Sequence, residues 1–382
     1  MATAASGAPK RARSPRLEFV GGQILAFVGA ALFAGFVGGV IIVLYGENPL
    51  FVYATVLNYA TARPEDIAQV AENATPLIFS GLAVAVAFKA GMFNIGVEGQ
   101  YIVGMLTAAI AALYLDWLPG ALLVPAVVVA SVLGAVMWAA IPAVLKVKTG
   151  AHEVVTTIMM NGIAISLVAW AILNPLKSTG DQSVDLRTNL FPGKALMPSI
   201  AEPLGLPSSV HLTLLFPVAL LACLFVWFFL YRTRLGYEVR AVGSSSGSAE
   251  AGGVSIGAAQ IKVFLISGAL AGFVGLNHLI GDKGYLGNNY EVGLGFAGIA
   301  VAFLGRNHPA GIALSALLIG VLIRGEDGIA LSTELPTEVL IILQGVLILS
   351  VVVAYELVRR AVARRQLKEE AAVEAAAPAT EH

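Results

Sequence analysis

The chain has 382 residues, of which 58% are hydrophobic and 12% are charged. Soluble domains carry about 25% charged residues, so the composition excludes an ordinary soluble protein and indicates a membrane protein with many spans. The net charge of −1 is uninformative about partners, and the single cysteine, Cys223, excludes a disulfide framework or a cysteine-based metal cluster.

A basic arm, residues 1–18, precedes the first apolar run at 19–45. That run is longer than the roughly 7–15 residues of a signal-peptide core, and no small-residue cleavage site closes it. We therefore predict that it is retained as the first membrane span.

Ten apolar runs approach the roughly 20 residues that a helix needs to cross a bilayer. They predict an all-α, polytopic membrane protein with about ten transmembrane helices. The candidate spans are 19–45, 66–88, 95–115, 119–145, 152–173, 210–230, 259–280, 289–305, 308–324 and 336–358.

The distribution of basic residues predicts the orientation. With the N-terminus in the cytoplasm, 17 of the 23 Lys and Arg residues fall in cytoplasmic segments. This excess follows the positive-inside rule and places both termini in the cytoplasm. The transmembrane domain is then 19–358, and the low-complexity tail at 359–382 is predicted to be disordered.

The second and third spans meet at FKAGMFNIGVEGQ, residues 88–100. Glycines and polar side chains at membrane depth are tolerated where they are buried in protein or line a wet cavity. We predict a broken or re-entrant segment that lines the solute pathway with Asn94, Glu98 and Gln100. Phe93 and Asn94 are the best candidates for solute contact, by stacking and amide hydrogen bonding.

Glu98 is the most informative charge in this segment. An isolated carboxylate at this depth costs a few kcal/mol and should be protonated, paired or hydrated. It could line or gate the pathway. Alternatively, it could accept backbone N–H bonds in the first turn of the helix that starts near Ile95, which Asn94 could also cap.

A second polar stretch, GAHEVVTTIMMNG at 150–162, opens the fifth span. Glu153, Thr157 and Asn161 are spaced i, i+4, i+8 and share a helix face, which in lipid must look inward. Thr157 and Asn161 are candidates for the pathway. The alternative is an interhelical hydrogen-bond seam.

A third polar break starts at Asn277 and His278 and continues with GDKGYLGNNYEVG, residues 281–293. Four residues of the break, Tyr285, Asn288, Asn289 and Tyr290, suit sugar or base recognition. They also suit an interfacial aromatic belt and loop, which is the interpretation we favour.

Two loops are large. The predicted external loop, 174–209, is rich in Pro, Gly and Asp and is either a solvated connector or a docking surface for an external partner. The predicted cytoplasmic loop, 231–258, is basic and then rich in Gly and Ser. A short helix around Glu250 is expected there, where it could contact a cytoplasmic partner.

Motifs of several enzyme classes are missing from the sequence. There is no Walker A pattern, so an ATP-driven process would need another chain to carry the nucleotide site. GLGFAG at 293–298 matches G-x-G-x-x-G, but without a βαβ context it indicates helix packing. No HExxH or G-x-S-x-G occurs and the five histidines have no metal spacing, so we predict no catalytic residue, no metal site and no bound cofactor.

Several segments resemble the permease subunits of bacterial ABC importers of the simple-sugar and nucleoside class, most closely the longer, first permease of nucleoside systems. The segments are 73–100, 153–164, 236–256 with the IKVFLISGALAGFVG that follows it, and 293–311. His152 stands where relatives tend to have Asn, and 174–209 has no strong match.

The resemblance implies a bacterial cytoplasmic membrane location and a heterodimer with a second, shorter permease. It also implies two copies of a cytoplasmic ATPase that bind Mg-ATP, a lipid-anchored external binding protein and no nucleic-acid partner. Loop 236–256 would be the segment that couples to the ATPase. The candidate coupling residues are Arg240, Gly243, Ser248, Ala249, Glu250 and Gly252.

The predicted function is therefore an ABC importer permease that moves nucleosides by alternating access. One alternative is an ABC importer of a simple sugar. Another is a secondary transporter that works alone with Glu98 or Glu153 as proton carrier, although no inverted sequence repeats are recognisable.

Overall fold

The computed structural model describes residues 32–178, 186–207 and 209–333, except Ala34, and a few positions between 341 and 353. Within these residues the chain forms helices, loops and two isolated β-bridges but no β-strand. The all-α fold is therefore confirmed. The described residues from Tyr53 to Thr333 form one compact unit, whereas those before Tyr53 and after Thr333 belong to a second unit.

The α-helices follow one another along the chain with mostly short connections. They are α1 (Gly35–Leu44), α2 (Pro49–Thr61), α3 (Pro64–Phe88), α4 (Val97–Tyr114), α5 (Gly120–Thr149), α6 (Glu153–Leu173), α7 (Leu215–Arg232), α8 (Arg234–Ser244), α9 (Ser246–Ala251), α10 (Ile256–Ala271), α11 (Leu294–Leu304) and α12 (Pro309–Ser332). Short 3₁₀-helices occupy Gly193–Ala195 and Glu202–Leu204, and a π-helix occupies Asn277–Lys283.

Helix α3 is the centre of the compact unit. The most apolar 18-residue window of α3 is 89% buried, against 28% for that of α5. It packs against α7, α10, α11 and α12. The outer helices instead expose large apolar side chains such as Leu133, Met137 and Phe225. An apolar exterior of this kind suits hydrocarbon, so the protein is embedded in a membrane with several helices crossing it.

Five described helices, α3 to α7, are long and apolar enough to cross a bilayer, and α1 with α2 would make a sixth if the pair is one broken span. The predicted count of ten stays a prediction, because most of candidate 336–358 and the start of 19–45 lie outside the described residues. Two predicted spans are only partly regular α-helix. The α-helix in 259–280 ends at Ala271 and gives way to a π-helix, and residues before Leu294 in 289–305 are not helical.

The predicted break between α3 and α4 is present but shorter than expected. Helix α3 ends at Phe88 and α4 begins at Val97, with Gly91 in the left-handed region at φ +71°. Glu98 and Gln100 are therefore helical residues. The irregular backbone is confined to Gly91 and the residues around it. Gly91 can adopt the positive φ because it has no side chain.

Residues 231–258 fold into α8 and α9, so the short helix expected around Glu250 is confirmed. Hydroxyl side chains start both helices: Thr233 accepts the N–H of Gly236 at 3.0 Å, and Ser245 accepts that of Ser248 at 3.3 Å. Below them, Val242, Ala249 and Ala259 form a small apolar cluster that joins α8 and α9 to α10.

The loop between α6 and α7 is held against residues 284–288, which follow the π-helix. Thr188 donates its N–H to the Leu286 carbonyl at 2.9 Å, and Phe191 donates to that of Gly284 at 2.7 Å. Its described parts are therefore built into the structure as a wall beside the π-helix, rather than serving as a bare connector.

Candidate functional site

Glu98 lies at a junction between helices and is 1% exposed. Its Oε1 accepts the backbone N–H of Gly293 at 2.6 Å, and its Oε2 accepts that of Gly295 at 2.8 Å. These donors belong to the first turn of α11, which has no carbonyls to offer them. The positive end of the α11 dipole also favours a negative side chain there.

The capping interpretation of Glu98 is correct in kind but wrong about the helix. The carboxylate caps α11 and not α4, the helix that contains it. The reason is a close approach: a Cβ atom on Gly295 would lie 2.4 Å from the Glu98 backbone N. Only glycine lets α11 reach this position. The glycines of GLGFAG indicate helix packing, but the local sequence does not indicate that Glu98 is the partner.

Tyr101 completes the junction from the next turn of α4. Its hydroxyl lies 2.9 Å from Glu98 Oε1 and 2.7 Å from the carbonyl oxygen of Glu291. One hydroxyl proton can serve only one acceptor at a time. The residues from Glu291 to Gly295 are thus fixed to α4 by both side chains.

The N-terminus of α4 is in turn capped from α6. Asn161 accepts the N–H of Gly99 at 2.8 Å through Oδ1 and donates from Nδ2 to the Ile95 carbonyl at 3.0 Å. At Asn161, the predicted interhelical hydrogen-bond seam is confirmed. Thr157 is fully buried, donates to the Glu153 carbonyl at 2.7 Å within its own helix and packs against Gly96.

Asn94 and Gln100 join three helices. The Asn94 amide donates to Ser267 Oγ on α10 at 2.8 Å and to Gln100 Oε1 at 3.1 Å, while Gln100 donates back to Asn94 Oδ1 at 3.1 Å. Ser267 donates to the Ala83 carbonyl of α3 at 2.7 Å. Asn94 also accepts the N–H of Gly96, the N-cap of α4, at 2.9 Å, so it supports the start of α4 without being the cap residue itself.

Phe93 is half-buried in an aromatic group at the C-terminal ends of α3 and α11. Its ring stacks on Phe303 with centroids 6.1 Å apart and meets Phe88 edge-on at 6.3 Å. Among the six predicted pathway residues, Phe93 is therefore the most accessible. Asn94, Glu98, Gln100, Thr157 and Asn161 are each at most 5% exposed.

Gly243 brings α8 onto the break between α3 and α4. A Cβ atom there would lie 2.2 Å from the Lys89 carbonyl oxygen and 3.0 Å from the Gly91 N. Backbone therefore touches backbone at this point. Burial, with Arg240 and Arg306 nearby, lowers the pKa of Lys89.

The other predicted coupling residues lie on α8, on α9 and just after α9. The Arg240 guanidinium lies over the Tyr231 ring, 5.2 Å from its centroid. Ala249 faces the apolar cluster, while Ser248, Glu250 and Gly252 are exposed. Within the described part of the chain, no contact buries Glu250 on the surface of α9.

A cleft of about 90 Å³ lies between α3, the π-helix, residues 291–294 and α12. None of the six predicted pathway residues lines it. Its apolar lining consists of Pro76, Val274, Leu294 and Ile323. Its polar lining consists of Glu72, Asn73, Asn277, His278, Asp282 and Glu291.

The sequence carries a signal for these residues. Asn277 and His278 open the third polar break, and their side chains line the cleft. The interfacial belt favoured for Tyr285, Asn288, Asn289 and Tyr290 stays a prediction. Glu72 and Asn73 are adjacent polar residues in the apolar central helix. Their pairing with the π-helix depends on the fold and could not be seen from spacing.

Helix termini and polar side chains buried inside an apolar bundle define a multi-pass membrane protein. Residues 67–352 match the family described as "Branched-chain amino acid transport system / permease component". The chain belongs to this family and is a permease subunit of an ABC transporter.

The matches to three curated relatives extend over most of this chain and most of each relative. A guanosine ABC transporter permease of Bacillus subtilis is 33% identical over 85% of this chain and 92% of its own. A glucose ABC transporter permease of Haloferax volcanii is 31% identical over 82% and 83%. A nucleoside ABC transporter permease of Lactococcus lactis is 29% identical over 87% and 92%.

Among solved structures, an inward-facing metal-chelate type ABC transporter is similar at a TM-score of 0.42 and 16% identity, over 83% of this chain and 94% of the other.

Proposed function

We propose that this chain is the permease of an ABC importer for nucleosides. The observation that carries the solute class is the similarity, over more than four-fifths of the chain, to permeases described as specific for guanosine and for nucleosides. Polar groups buried between the helices suit a protein that passes a polar solute through hydrocarbon.

ATP hydrolysis takes place on a partner ATPase, and this chain binds neither Mg-ATP nor another cofactor. The ATPase docks on α8 and α9, where the exposed Ser248, Glu250 and Gly252 form the contact surface. Closure of the ATPase moves α8. Because Gly243 touches the backbone at Lys89 and Gly91, that movement reaches the end of the central helix α3.

The predicted pathway residues act mainly by holding this machinery together. Glu98 joins α4 to α11, Asn161 joins α6 to α4, and Asn94 with Gln100 joins α4 to α10. Helices connected through satisfied polar contacts move as one body, which alternating access requires. Phe93 remains our candidate for direct contact with the solute.

The remaining partners complete an importer in the bacterial cytoplasmic membrane. A second permease would cover part of the apolar faces of α5, α6 and α7, and a lipid-anchored binding protein would deliver the solute on the outside. Both termini of this chain then face the cytoplasm, as the distribution of Lys and Arg predicts. No nucleic acid takes part.

The experiment measures solute uptake by the complete complex in proteoliposomes, with the binding protein present. We expect ATP-dependent accumulation of at least one of adenosine, guanosine, cytidine and uridine. Accumulation of glucose and of none of the four nucleosides would overturn the solute assignment.

A simple sugar is the second candidate, favoured by the similarity to a glucose permease. The secondary-transporter alternative has less support. Both carboxylate oxygens of Glu98 accept hydrogen bonds from backbone N–H groups, and Glu153 Oε2 lies 2.7 Å from Lys146 Nζ. Carboxylates committed in this way are poor proton carriers, because each protonation would break a structural contact.

A further inference from the structure

The cleft beside α3 has the chemistry of a hydrogen-bond acceptor site. Its described lining holds the carboxylates of Glu72, Asp282 and Glu291 and no lysine or arginine. Just outside it, Lys283 Nζ lies 2.7 Å from Asp282 and His211 lies 3.9 Å from the same carboxylate. Negative charge exceeds positive charge here, so a phosphate or carboxylate ligand is repelled, whereas hydroxyl donors are attracted.

Pro76 interrupts the helical hydrogen bonding of the same wall. It lies inside α3, one turn after Glu72, and both residues line the cleft. Because proline has no N–H, it cannot donate the usual helix hydrogen bond to the Glu72 carbonyl. The Glu72 carbonyl is thus left without its usual helix donor, on the residue that lines the cleft.

The opposite wall is a π-helix, Asn277–Lys283. This conformation is rare and is frequently found at functional sites. It places Asn277, His278 and Asp282 on the same side, toward the cleft. Their amide and imidazole groups supply both donors and acceptors, which the carboxylates alone would not.

The third wall is fixed by the Glu98 junction. Residues Glu291 and Leu294 line the cleft, and the neighbouring N–H groups of Gly293 and Gly295 are held by Glu98. The cleft is therefore a built feature and not a gap between mobile loops.

We propose that this cleft binds the vicinal hydroxyl groups of the solute's sugar ring during passage through the permease. Its lining of carboxylates, amides and an imidazole suits hydroxyl groups, which both donate and accept hydrogen bonds. A carboxylate is the group that binds a ribose 2′-hydroxyl in dinucleotide sites as well. The inference rests on the proposed function, and it makes the sugar the part of the solute that this cleft recognises.

The test is protection of an introduced cysteine in the complete complex. The native Cys223 is replaced by Ala, and Asn73→Cys places a thiol in the cleft; Asn277→Cys is the second variant in case the first does not assemble. Labelling by a small thiol reagent is measured with a transported nucleoside, with its free base and with ribose. Asp116→Cys, exposed and outside the cleft, is the control.

At a ligand concentration about ten times its dissociation constant, about one-tenth of the clefts remain unoccupied. The rate of labelling should therefore fall roughly tenfold. We expect this with the nucleoside and with ribose, and not with the free base. Glu72→Gln, which keeps the size but removes the charge, should weaken the protection about tenfold, as expected for the loss of a charged hydrogen bond.

Two results would overturn the proposal: no protection in a complex that transports the nucleoside, or equal protection by the free base. Protection of the Asp116→Cys control would also do so, because it would indicate a global change. A complex that transports no nucleoside at all would instead contradict the proposed function, so the two failures are distinct.

Discussion

The Oε2 atom of Glu98 lies 2.8 Å from the backbone N of Gly295, so a side chain of α4 caps a helix that begins almost 200 residues later. Asn161 of α6 caps α4 in the same manner. The starts of α11 and α4 thus have backbone N–H groups satisfied by a neighbouring helix. In a membrane interior, where water cannot do this, such caps hold the irregular backbone together.

Glu98→Ala should lower the stability of the folded chain by about 3 kcal/mol or more, because it leaves the N–H groups of Gly293 and Gly295 buried without an acceptor. Thermal unfolding of the detergent-solubilised chain measures this. The control is Glu238→Ala, which removes an exposed ion pair with Arg234 worth less than about 1 kcal/mol. Equal losses in the two variants would contradict the capping role.

Gly298→Ala should also be destabilising, by about 1–3 kcal/mol, since overpacking forces α11 away from α3. The new methyl group would lie 1.9 Å from Ser80 Oγ, the hydroxyl that donates to the Leu294 carbonyl. Gly162→Ala is the matched control, because nothing lies within 4 Å of its added Cβ. If both glycine variants unfold at the same temperature, the close packing of α11 is not a source of stability.

Gly243→Ala should uncouple ATP hydrolysis from uptake. The added Cβ would meet the Lys89 carbonyl at 2.2 Å, which pushes α8 off the end of α3. We expect less solute moved per ATP hydrolysed in proteoliposomes, with hydrolysis itself continuing. Gly162→Ala serves as the control here too, and an unchanged ratio in Gly243→Ala would show that movement does not pass through this contact.

Glu250→Arg should weaken co-purification of the ATPase, because it reverses an exposed charge on the proposed docking helix α9. A pull-down with tagged permease measures the amount of ATPase retained. Glu202→Arg makes the same exchange at an exposed position in the loop between α6 and α7 and should have no effect. Equal retention by the two variants would place the docking surface elsewhere.

Much of the fold follows from local chemistry. Apolar runs of sufficient length predict the helices α3 to α7, and the glycine-rich FKAGMFNIGVEGQ predicts the break between α3 and α4. The glycines of GLGFAG also pack helices as predicted, since Gly295 meets Glu98 and Gly298 meets Ser80. These features depend on residues that are close in sequence or on the absence of a side chain.

The details of the site were harder to predict, because they depend on which helix ends meet in space. A buried glutamate indicates that some donor must be near, but not that the donor is the N-terminus of α11. The π-helix at 277–283 has no distinct sequence pattern, so the cleft that Asn277 and His278 line could not be predicted from spacing. Glu72 was overlooked because its partners come from sequence positions some 200 residues away.

The most direct test is the energy source for uptake by the reconstituted complex. Uptake is measured with the intact ATPase, with an ATPase variant that binds but does not hydrolyse ATP, and with a protonophore present. We predict that the hydrolysis-deficient ATPase abolishes nucleoside uptake and that the protonophore leaves it intact. Uptake by this chain alone, driven by a pH gradient and indifferent to ATP, would contradict the account.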